Sequence, residues 1–183
     1  MNAGLFSVNG EVMKEWTTEH EGAEPEQTKE NRRAEARAMK LLLNRMMTEK
    51  EMRERLLQEG FEPDPVEAAI QYCSSFGYLS DARYAENYLI SMRRKKSGQM
   101  IRRELEERGV SEDLIEQAFE ENPYEESDVV DALIRKKAGS PHRMDEKELR
   151  RTFAFAARKG FASSEIWKAI HRFQDAENEE EEL

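Results

Sequence analysis

Apolar residues recur along this chain at intervals of three and four, the period of one face of an α-helix. Over 81–95, Ala82, Ala85, Leu89 and Met92 keep that spacing while Arg83, Glu86, Asn87 and Arg94 fall outside the seam. Pro25, Pro63, Pro65, Pro123 and Pro141 all stand between such stretches and never inside one. A proline inside a helix costs about 3 kcal/mol, so the intervals between them are open to helix. First helices of successive units are predicted over 31–45, 81–95 and 124–137. Thr48 to Glu51 fits a capping box for a later helix, and Ser111 supplies a cap residue without the acid.

Glycine shows that the pattern repeats. Gly60, Gly109 and Gly160 each follow a periodic stretch and precede an apolar residue, Phe61, Val110 and Phe161. A left-handed glycine ends a helix in this way. Four positions before each stand Leu56, Leu105 and Ala156; six after stand Val66, Ile115 and Ile166; ten after stand Ile70, Phe119 and Ile170. Matched positions around a recurring stop mark an internal repeat. The expected fold is all-α: three tandem three-helix repeats of helix-turn-helix-like units, stacked into an elongated, curved body. The expected boundaries are 31–79, 80–122 and 123–173. Residues 1–30 and 174–183 are expected to be acidic and disordered, with a short hairpin at Asn9 and Gly10 as the one hint of strand.

Composition sharpens this picture. Charged residues make up 37% and hydrophobic residues 38% of 183, which favours thin helical layers over one thick core. The formal net charge of -10 is uneven: residues 1–30 carry -5, 174–183 carry -6, and the middle is left at +1. Charge blocks poor in apolar residues bury too little to offset ordering entropy. No apolar run approaches the roughly 18 residues that cross a bilayer, and the N-terminus lacks a signal-peptide pattern. A cytoplasmic, soluble monomer without membrane contact is expected. The single cysteine, Cys73, reads as a small buried hydrophobe.

Candidate chemistry points to binding and away from catalysis. His20, His142 and His171 are scattered, with no metal-ligand spacing, no glycine-rich phosphate loop and no nucleophile elbow. No enzyme activity, cofactor or metal is expected. The basic clusters are different: Arg93, Arg94, Lys95 and Lys96 close one helix, Arg102 and Arg103 open the next, and Arg135, Lys136, Lys137 and Arg143 echo them in the third unit. Cations in a last turn favour the helix dipole, but four in succession repel one another and exceed that need. They imply an anionic partner. Base reading by a third helix is disfavoured, because the later helices of units one and two carry no Lys or Arg and only Lys168 and Arg172 serve unit three.

The ordered string FGYLSDARYAENYL, with Gly77, Tyr78, Leu79, Asp81 and Arg83, followed by SGQMIRRELEERGVSEDLIEQAF, with Gly98 and Gly109, resembles the core of the RecX family, the regulators of the RecA recombinase. The resemblance extends over about 38–173 at lower specificity. It implies three tandem three-helix repeats lying in the groove of a RecA filament on single-stranded DNA, limiting filament growth, ATPase and strand exchange in DNA repair, recombination and the SOS response. A linear array suits that groove, because it touches several protomers at once. Arg93, Arg94, Lys95, Lys96, Arg102, Arg103, Arg135, Lys136 and Lys137 are the candidate contacts with RecA or with single- or double-stranded DNA. Gly77, Tyr78, Leu79, Asp81, Arg83 and Gly109 are expected to shape the fold. The alternative is a RecA-independent helical DNA-binding or adaptor module.

Overall fold

The computed structural model describes residues 26–181. Helices follow one another as α1 (Glu26–Leu42), α2 (Glu49–Gln58), α3 (Pro63–Ser75), α4 (Asp81–Met92), α5 (Gly98–Glu107), α6 (Glu112–Glu121), α7 (Glu126–Ala138), α8 (Glu146–Ala157) and α9 (Ser163–Glu181). Among the described residues there is no strand, and the hairpin expected at Asn9 and Gly10 lies outside them. The protein is an all-α tandem array of three three-helix repeats.

The recurring glycines end the second helix of each repeat. Gly60, Gly109 and Gly160 have φ of 88°, 85° and 89°. After α2 the Gly60 amide donates to Leu57 and the Phe61 amide to Leu56; after α5 the Gly109 amide donates to Glu106 and the Val110 amide to Leu105. These paired bonds close a Schellman turn, and the apolar residue that follows folds back onto the helix. Leu56, Leu105 and Ala156 are fully buried.

Each repeat closes its own core. Ala34, Ala38, Met52, Leu56, Val66 and Ile70 lead the first, which ends at Leu79. Tyr84, Leu89, Ile101, Leu105 and Ile115 lead the second, and Val130, Ile134, Ile166, Ile170 and Phe173 the third. Within each repeat the first and third helices make the broadest contact, α1 on α3, α4 on α6 and α7 on α9.

The repeats are joined by matching polar groups at the two joints, the acceptor of the hydroxyl differing by one residue. At the start of α2, the Thr48 hydroxyl accepts from the Glu51 amide at 3.1 Å and donates to the Arg108 carbonyl at 2.7 Å, while the Glu49 amide donates to Asp81 at 2.9 Å. At the start of α5, the Ser97 hydroxyl accepts from the Met100 amide at 3.2 Å and donates to the Gly160 carbonyl at 2.8 Å, while the Gly98 amide donates to Glu126. Hydroxyls are the side chains that cap a helix and donate outward together. Glycine lets the next repeat approach: a Cβ on Gly109 would stand 2.7 Å from Lys50 Cβ, and one on Gly160 2.7 Å from Met100 Cβ.

Several element ends differ from expectation. α1 starts at Glu26, inside the segment expected to be disordered, and no proline or glycine stands between 26 and 42 to interrupt it. α4 stops at Met92, where the Lys95 and Lys96 amides both turn back to the Met92 carbonyl. α9 runs on to Glu181 through much of the run expected to be a disordered tail. That run holds alanine and glutamate and no proline or glycine to stop a helix. Ser111 precedes α6 without a side-chain cap bond, whereas Ser97, not foreseen as a cap, makes one.

Candidate functional site

The nine cations expected to bind divide into two groups. Lys96 pairs with Glu104, whose other oxygen accepts from the Tyr88 hydroxyl at 2.6 Å. Arg102 pairs with Glu116 and lies 4.0 Å over the Phe119 ring. Arg103 pairs with Glu107 at 2.9 Å, one turn along α5. All three are thereby drawn into pairs within repeat 2, the Lys96 pair half-buried and the Arg103 pair open to solvent. Arg93, Arg94, Lys95, Arg135, Lys136 and Lys137 have no carboxylate within ion-pair distance among the described residues, and of these all but Arg93 are exposed.

The fold adds cations that the sequence reading passed over. An open groove of ≈ 450 Å³ beside α8 is lined by Lys137, Arg150, Arg151, Ala154 and Arg158, with no acid in its lining. Arg150 is drawn to Glu146 one turn earlier. Lys137 and Lys159 approach the same Phe155 ring, at 5.9 Å and 6.0 Å from its centroid. The pattern was legible: Arg150 and Arg151 stand eight and seven positions before Arg158, two helical turns away. RTFAFAARKG served there only to align the repeats.

The second joint brings both sets together. The Ser97 amide donates to the Lys159 carbonyl at 2.9 Å, so the run of cations that follows α4 ends against the residues that close α8. Between them α7 starts beside Arg93 and Arg94, which line a cavity of ≈ 560 Å³ with Tyr124 and Asp128. The Tyr124 hydroxyl has no hydrogen-bond partner there. Burial, then the Glu126 charge, pushes it up to about 12 against the opposing pull of Arg102 and Arg93. The result is a basic seam running from the end of α4 across the joint to α8, with α7 contributing its last turn.

The six motif residues take distinct places. Gly77 has φ of 68°, and its carbonyl accepts from Arg83. Leu79 seals the first core. Asp81 and Gly109 both sit in the first joint. Burial pushes the Asp81 carboxyl up, and the Glu49 amide pulls it back only in part. Tyr78 is a correction: its amide closes α3 onto Cys73 at 2.8 Å, but its ring is 53% exposed and rests on Phe76, so only its backbone shapes the fold. Tyr84 is buried and Tyr88 half-buried; their rings stack at 6.0 Å and Arg108 lies over that of Tyr88, which removes them as surface platforms.

Burial, followed by its bond to Glu104, pushes the Tyr88 hydroxyl up to about 12. Burial works against ionised Glu104 as well, yet Lys96, Tyr88 and Arg108 together hold that carboxyl below the usual carboxylate range. Cys73 is fully buried against Met39, and burial raises its thiol. Among the described residues no cluster of three or more His, Cys, Asp or Glu is placed to hold a metal, and no helix is long and apolar enough to cross a membrane.

Comparison with known proteins agrees with this architecture. Residues 34–73, 80–118 and 124–170 match, in order, the first, second and third three-helix domains of RecX. The regulatory protein RecX of Trichlorobacter lovleyi is 34% identical over 135 residues, covering 70% of this chain and 88% of that one. That of Vibrio vulnificus is 30% identical over 134 residues, covering 73% and 88%. The crystal structure of RecX from Lactobacillus salivarius superposes with a TM-score of 0.64 at 20% identity, over 80% of this chain and 97% of that one, which is a likeness of fold. Three domains in order and relatives matched over most of their length leave one assignment: the chain belongs to the RecX family.

Proposed function

We infer that this chain regulates the RecA recombinase by binding, as a cytoplasmic monomer, to RecA filaments on single-stranded DNA. Bound there, it limits filament growth, ATPase and strand exchange in recombination and repair, without chemistry of its own. The observation that carries this reading is the set of exposed cations after α4 and at the end of α7, Arg94, Lys95, Arg135, Lys136 and Lys137, which have no carboxylate within ion-pair distance among the described residues. Exposed cations left unpaired in a near-neutral body are available to an anionic partner, and a filament presents both phosphate and protein acid at regular intervals. An array with independent cores and polar joints can engage several such intervals at once, gaining affinity by multivalency.

The test is the single-stranded-DNA-dependent ATPase of RecA with the chain at micromolar concentration. A fall in rate is expected. An unchanged rate with the chain folded refutes the reading, and binding to DNA alone with no effect on RecA favours a RecA-independent DNA-binding module.

A further inference from the structure

An exposed aromatic group stands at the end of α3. The Tyr72 and Phe76 rings lie one helical turn apart in sequence and 4.9 Å apart between centroids, and the Tyr78 ring stacks on Phe76 at 6.1 Å. Phe76 is 61% exposed, and both tyrosines are exposed with it. Apolar residues scattered singly over a surface are ordinary, but three joined rings are not. The first core does not need them, because Cys73 and Leu79 already close it.

The group continues onto α4. The Arg83 guanidinium donates to the Gly77 carbonyl, between Phe76 and Tyr78 in the chain. Arg83, Asn87 and Ile90 recur at intervals of four and three, one stripe of the helix, and Arg94 keeps the interval just past its end. All four are exposed, Ile90 at 43% although isoleucine belongs among the residues that cores take. Of the two acids on α4, Asp81 is held in the first joint and Glu86 is half-buried to one side of the stripe.

Rings and an isoleucine at the centre with guanidiniums at the edge are the make-up of anchoring residues in protein interfaces. A nucleic-acid strand fits this surface poorly. It carries a charge at every nucleotide, whereas the stripe offers cations only at Arg83 and Arg94, about 16 Å apart along the helix with Ile90 between them. Phe76 also lies against both tyrosines already. The complement is a protein face, apolar at its centre, with carboxylates placed for the two guanidiniums. Arg94 belongs as well to the exposed cations on which the function above rests, so the two surfaces are continuous there.

We propose that Tyr72, Phe76, Tyr78, Arg83, Ile90 and Arg94 anchor such a face of a protein partner, in the reading above a RecA protomer. This rests on that reading and adds the apolar half of the contact. The cations speed and orient the encounter, and the rings slow its release.

Fluorescence anisotropy on RecA filaments assembled on labelled single-stranded DNA tests it with Phe76→Ala and Ile90→Ser, made separately on exposed positions of different elements and checked for fold by circular dichroism. Each is expected to weaken filament binding at least about tenfold and to leave the salt slope unchanged, because no charge is removed. If the unaltered chain binds and either folded variant binds as tightly, this proposal falls and the function above stands. If the unaltered chain leaves the filament unbound, both fall. An equal loss on the bare labelled strand without RecA also overturns the proposal, since the rings would then be stacking bases.

Discussion

Neutralising Arg93, Arg94 and Lys95 together, as R93Q/R94Q/K95Q, separates binding cations from structural ones. None of the three has a carboxylate partner among the described residues, so their loss should leave stability within about 0.5 kcal/mol of the unaltered chain. If each neutralises one phosphate of single-stranded DNA, the three together contribute about 2 to the slope of log affinity against log salt. A fourfold rise in salt then weakens binding by roughly twentyfold through these contacts alone, and the variant loses that sensitivity. The matched control is K96Q/R102Q/R103Q, which removes the same charge from residues already paired with Glu104, Glu116 and Glu107. The control should lower stability, mostly through Lys96, whose side chain is only 24% exposed, and leave the slope nearly intact. Fluorescence anisotropy on RecA filaments assembled on labelled single-stranded DNA gives affinity against salt, and circular dichroism checks the fold. Equal flattening by both triples, or none by the first, would refute the division of the cations.

Gly109→Ala and Gly160→Ala each combine left-handed strain of about 1–2 kcal/mol with overlap against Lys50 or Met100; urea unfolding should show a loss exceeding the strain alone. Ser97→Ala removes a cap worth about 1 kcal/mol and strips the Gly160 carbonyl of its donor, for a loss of about 2–3 kcal/mol in the same assay. Glu104 lies below its ordinary value of 4.5, so its contribution to stability is complete above that value and is lost as pH falls through the depressed folded value. Unfolding measured from pH 6 to pH 3 should therefore show a weaker acid dependence in Glu104→Gln.

The repeat was legible because its signals are local: a left-handed glycine, an apolar residue after it, and core positions at fixed offsets. The Arg103 pair was equally within reach, since Glu107 is one turn away. The joints were not. The acceptor of the Ser97 hydroxyl is 63 residues distant in sequence, and no acid three positions later announces Ser97 as a cap. The division of the cations was hidden for the same reason: Glu116, which takes Arg102, lies 14 residues away on another helix. Tyr78 misled because residue type does not say which way a ring points, and its neighbours Phe76 and Tyr72 form an exposed aromatic group instead of core. The helix ends at Glu26 and Glu181 were lost to an argument from charge. Net charge describes solubility and self-repulsion, while helix continuation depends on propensity and on the absence of stop residues.

Cohesion within a repeat and the setting of one repeat on the next depend on different contacts in this chain. Apolar burial is confined to three separate cores, so each repeat derives its cohesion internally. The setting of one repeat on the next rests on a handful of groups per joint: a capping hydroxyl, an amide onto a carboxylate and a glycine at both, with the Lys50 ammonium on the Glu107 carbonyl at the first and the Ser97 amide on the Lys159 carbonyl at the second. A change at Thr48, Ser97, Gly109 or Gly160 therefore acts first on the angle between repeats and only second on their cores. That matters most at the second joint, where the Ser97 amide meets the Lys159 carbonyl and the run of cations after α4 ends against the close of α8. The continuity of the basic seam is a property of that joint, not of either repeat. An array with intact repeats and an altered Ser97 would keep every cation and lose the spacing between them that the proposed filament contact requires.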